Sequence, residues 1–135
     1  MEQDKLLSES IDNIENAYEF MLTYAARGVQ REMENESPSI RDFLKSLSQT
    51  LENINDIFTK VVRGLKLDSK EELFDFINIL QEDARKAKSA VDLILSLPSI
   101  SSQLVDNLNA SIHLRALLTS IFIIDESISS LKQNK

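Results

Sequence analysis

Two glycines and two prolines are the only strong helix breakers in 135 positions. A chain so poor in turn formers has room for few turns, and the elements between them must be long. Apolar residues fill those stretches at alternating spacings of four and three, which holds them on one side of a helix turning about 100° per residue. The first seam is Leu7, Ile11, Ile14, Tyr18, Met21 and Ala25, and the second runs from Ile40 through Leu44, Leu47, Leu51, Ile54, Phe58 and Val61 to Leu65. Leu73, Ile77, Leu80, Ala84, Ala87, Val91 and Ile94 make the third, and Ala110, Leu114, Leu117, Ile121, Ile124, Ile128 and Leu131 the fourth. No stretch of comparable length alternates with the period of two that a strand requires.

The spacing predicts helices over about residues 4–35, 39–64, 69–97 and 101–133. Pro38 follows the polar run from Glu34 to Ser37 and sets the first stop near Asn35, because proline disfavours helix in the residue before it. Gly64 followed by Leu65 reads as a left-handed cap, with Ser69 and Glu72 placed for a capping box on the third helix. Pro98 ends that helix, and Ser99, Ser101 or Ser102 can open the last. Connections this short make successive helices antiparallel, so the expected fold is all-α: one up-down-up-down four-helix bundle spanning residues 1–135. Pro-Ser-Ile recurs at 38–40 and 98–100, a weak sign of a duplicated hairpin that shared bundle periodicity also explains.

Composition narrows the function classes. With no cysteine, the fold rests on packing, without disulfides or thiolate metal sites. A formal charge of −7 repels phosphate backbones, which excludes nucleic acid as an expected partner. Lys60, Arg63, Lys66 and Lys70 gather at one predicted turn, where cations offset a helix dipole. The opening MEQDKLLSES does not read as a secretory signal, and the greasiest run, Leu114 to Ile124, falls short of a membrane span and is interrupted by Arg115. The expectation is a cytoplasmic protein with no membrane association and no cofactor.

Chemistry is sparse. A carboxylate-bridged metal pair needs Glu-x-x-His on two helices, and the single histidine, His113, has Ala110 three residues before it. His113 as a phosphoryl acceptor is an alternative reading, although the following Leu114, Arg115, Ala116 and Leu117 lack the glycine that makes room for a phosphoryl group in phosphotransfer bundles. Small residues, among them Ala25, Ser48, Ala84, Ala87 and Ala110, cluster by level in one half of the bundle. Arg27, Lys88 and His113 could border a hole there and bind a small anion. Asp125 projects about 20° from Leu114, in the middle of the fourth apolar stripe, where a carboxylate needs a partner. The phenol of Tyr18 is the expected donor.

The last predicted helix also carries Val105, Ile112, Ala116 and Ile123 opposite its main stripe, and the first places Phe20 and Tyr24 off its central line. Neighbouring helices would join these into an apolar patch of the kind that marks an interface. The expected function is therefore a non-enzymatic interaction or scaffold protein, a homodimer or a partner-docking subunit.

Overall fold

Leu44, Leu47, Leu51, Ile54, Phe58 and Val61 are all buried in the computed structural model, which describes residues 2–133. Their helix is flanked by two others, so the second seam forms the middle of the core. The described residues form five helices: α1 (Glu2–Ala26), α2 (Ile40–Arg63), α3 (Glu71–Leu95), α4 (Ser102–Ala110) and α5 (Ile112–Gln133). There is no strand among them. The chain is all-α as expected, but the fourth predicted helix is two helices, α4 packing on α1 and α5 on α3.

The first predicted helix is also shorter than its pattern implied, ending at Ala26 rather than near Asn35. Gly28 takes φ 70°, a left-handed conformation that closes the helix. The freed chain then runs across the end of the molecule to the α3–α4 connection. Ser102 secures it there: its N–H donates to the Val29 carbonyl at 2.8 Å, while its Oγ accepts from the Val29 N–H at 2.7 Å and donates to the Tyr24 carbonyl at 2.6 Å. Backbone groups that a longer helix would have paired internally find partners here instead.

At the start of α2, Ser39 Oγ accepts from the Asp42 N–H and the Asp42 carboxylate accepts from the Ser39 N–H, a reciprocal cap. The box expected from Ser69 and Glu72 does not form. The cap position falls one residue later, at Lys70, whose side chain makes no cap hydrogen bond. Gly64 departs from expectation too, with φ −78° and ψ −10°, an ordinary right-handed residue whose N–H continues the helical ladder to Lys60 and Val61. Ser101 caps α4 by accepting from the Leu104 N–H. The two Pro-Ser-Ile segments play different parts: Ser39 caps α2, whereas Ser99 Oγ accepts from the Glu32 N–H and Ile100 precedes the cap of α4.

Ser111 makes the break between α4 and α5, which are bent by 52°. Its ψ of 145° leaves the helical region. Its Oγ donates to the Leu108 carbonyl and accepts from the Leu114 N–H, so one serine closes one helix and opens the next. After the bend α5 follows α3, with Ser120 Oγ donating to the Asp83 carboxylate. At its far end Lys132 reaches Asp4 of α1 at 2.8 Å.

Candidate docking groove

The bend at Ser111 resets the helical phase, and this decides which residues face water. Val105 lies in α4 and is 0% exposed, whereas Ile112, seven residues on but past the break, is 75% exposed. The patch expected from Val105, Ile112, Ala116, Ile123, Phe20 and Tyr24 is thereby divided. Val105 and Tyr24 belong to the core, where the Tyr24 hydroxyl donates to the Ile100 carbonyl at 2.6 Å. Phe20 is half-buried and stacks on Phe43, with ring centroids 4.2 Å apart. Ala116 is half-buried, and of the six only Ile112 and Ile123 stand exposed.

Ile123 belongs to a different apolar surface. Ile121, Phe122, Ile123 and Ile124 are consecutive, and four successive residues about 100° apart cannot all face one core. Ile121 and Ile124 are buried, which turns Phe122 and Ile123 outward at 50% and 49% exposure. Beside them lie Leu73 and Phe76 of α3 and Leu67 of the α2–α3 connection, all half-buried. Together with Leu131 they line an open groove of about 1240 Å³ between the start of α3 and the second half of α5. Leu73 and Leu131 belong to the seams read from the sequence, whereas Leu67 and Phe76 lie outside them. The unbroken run 121–124 was the available signal.

Carboxylates dominate the polar lining: Asp68, Glu72, Asp125 and Glu126, against Lys70 alone. The Lys70 ammonium donates to the Arg63 carbonyl at the end of α2. Asp125 also borders a smaller cleft of about 310 Å³ between α1 and α5, lined by Leu7, Ile11 and Ile128. Burial pushes the Asp125 carboxyl above its ordinary range, Glu126 beside it adds to the rise, and Lys132 opposes it. Tyr18 is half-buried, and no hydrogen bond joins it to Asp125, so the expected buried pair is not formed.

Neither cleft is lined by any of the three residues expected to border an anion pocket. Arg27 pairs with Glu36 and lies over the Tyr24 ring, Lys88 pairs with Asp92 at 2.8 Å, and His113 is exposed in the first turn of α5. Of the small-residue layer, Ala84 and Ala87 are packed in the core while Ala110 is exposed. Burial alone would raise the Asp92 carboxyl, but hydrogen bonds from Lys88 and Ser48 outweigh it and hold the group low. Among the described residues no cluster of three or more histidines and carboxylates could hold a metal ion. Among the described residues no single helix is long and apolar enough to cross a membrane. Comparison with protein-family models, with curated proteins and with solved structures finds no match.

Proposed function

We propose that this chain is a non-enzymatic interaction protein that docks a protein partner, another chain or a second copy, through the face shared by α3 and α5. One observation carries the reading: Phe122 and Ile123, each about half exposed, share a single groove with Leu67, Leu73 and Phe76. Isolated surface hydrophobes are ordinary, but a continuous apolar channel is the surface a partner covers. The interface first expected on the first and last helices moves accordingly, with Ile123 retained and Val105 and Tyr24 given over to packing.

The test replaces Ile123 by Glu. Light scattering at matched concentration reads self-association, co-purification from native lysate reads association with another chain, and circular dichroism checks helicity. Association lost in a variant of unchanged helicity supports the α3–α5 face. Association that survives both Ile123→Glu and Phe122→Glu, or a wild type that associates with nothing, removes this reading.

A further inference from the structure

We infer that the occupant of the α3–α5 groove is an amphipathic helix of another protein, with lysines or arginines flanking its apolar ridge. This rests on the docking reading above and specifies the partner's chemistry.

The shape argues for a helix. α3 and α5 form the two banks of the groove, the arrangement into which a third helix lays its apolar face. Leu73 and Phe76 stand one turn apart on one bank. On the other, the lining from Phe122 to Leu131 spans about 13 Å at the rise of a helix, room for two or three ridge side chains spaced a turn apart. Ser127 and Ser130 lie along that bank and keep it low. The Ser127 hydroxyl donates back to the Ile123 carbonyl, so it asks nothing of an incoming backbone. About 1240 Å³ also exceeds the roughly 300–1,000 Å³ typical of small-molecule pockets.

Charge selects the flanks. Four carboxylates and one ammonium line the groove, and that ammonium is already engaged with the Arg63 carbonyl. Asp125 is half-buried with no hydrogen-bond donor among the described residues, and Lys132, whose charge partly offsets its own, is paired with Asp4, so a cation brought by the partner would supply the direct contact that is missing. A second copy fits poorly. A twofold contact would set the same carboxylates face to face in chains that each carry −7.

The probe is a leucine–lysine peptide of about 18 residues, long enough to hold a helix, with leucines on one face. Its binding is read by fluorescence anisotropy. Wild type should bind saturably, more weakly as salt rises. Phe122→Ala with Ile123→Ala, and separately Glu72→Lys with Glu126→Lys, should each weaken binding about tenfold or more. Glu52→Lys with Asp56→Lys makes the same charge change on exposed positions of α2 and should stay within about twofold. Equal loss from both charge pairs would reduce the effect to net charge and overturn the inference. So would equally tight binding of a leucine–glutamate peptide, a groove occupied by a second copy, or a preference for phosphatidylglycerol vesicles over the peptide. If the lysine peptide fails while Ile123→Glu still abolishes association, the basic helix falls and the docking face stands. If both fail, both fall.

Discussion

Arg41 grips Glu32 with both arms of its guanidinium, Nε donating at 2.9 and 3.1 Å and Nη2 at 2.8 Å, nine residues away across the loop that precedes α2. The same side chain donates to the carbonyls of Leu95 and Leu97 at the end of α3, and Glu32 also accepts the Ile100 N–H at 2.7 Å. One ion pair thus ties three segments together: the loop after α1, the start of α2 and the α3–α4 connection. Arg41→Ala should cost about 2 kcal/mol, since charge-assisted bonds are lost and Glu32 is left half-buried. Arg85→Ala, which removes an exposed pair with Glu82 on α3, should leave the melting temperature unchanged. Equal effects from the two changes would show that the Arg41 clasp is no more than a surface contact.

The two glycines should respond differently to alanine. A methyl group added at Gly28 would meet no atom within 4 Å, so its cost is purely that of a left-handed backbone, and Gly28→Ala should destabilise by about 1 kcal/mol. At Gly64 the backbone is right-handed and an added methyl meets the carbonyl oxygens of Val61 and Lys60 at an ordinary 3.5 and 3.7 Å. Gly64→Ala should therefore be neutral or stabilise by up to about 1 kcal/mol, through the unfolded chain. Denaturant midpoints of the two variants give the signs directly.

Asp125 predicts a pH dependence. Its carboxyl is raised in the folded chain by burial and by Glu126, so across the interval between its unfolded and folded values the native state holds a proton that the unfolded state has released. Stability from this group is complete below the ordinary carboxylate range and is lost as pH rises through the folded value. Asp125→Asn removes the ionisation, and its melting temperature should exceed that of wild type at about pH 7 and converge with it near about pH 3. A difference of the same size at both values would remove burial of the charge as its cause. Tyr18→Phe should change nothing, because no bond to Asp125 is lost.

How far the fold could be read from residues is clearest at its joints. The seam through Leu44, Leu51, Ile54 and Phe58 was legible because burial on one face of a helix leaves a periodic trace, and every one of those residues is in the core. The end of α1 was not legible. Gly28 ends the helix with its left-handed backbone, and what fixes the path of the chain after it is a set of bonds from Ser102, Ser99 and Arg41, all remote in sequence. Glu32 and Arg41 were invisible for the same reason, since a helix running to Asn35 would have left Glu32 on its surface. For the groove, Ile123 was singled out as facing away from the core, but its companions from the α2–α3 connection were not, because which bank α5 follows depends on a bend.

That bend makes the last prediction. If Ser111 both closes α4 and opens α5 through its hydroxyl, Ser111→Ala should cost about 1 kcal/mol, the usual loss of a helix cap. The phase change it produces can be tested at the two valine and isoleucine positions that a continuous helix would have put on one face. Val105→Ala removes two buried methyl groups and should cost about 2 kcal/mol once the cavity is included. Ile112→Ala, at a position 75% exposed, should stay within about 0.5 kcal/mol. On an unbroken helix positions seven apart differ by only about 20°, so the two changes would have similar effects. Urea unfolding of the three variants separates the cases, and matching losses at Val105 and Ile112 would mean that the helix runs straight through Ser111 in solution.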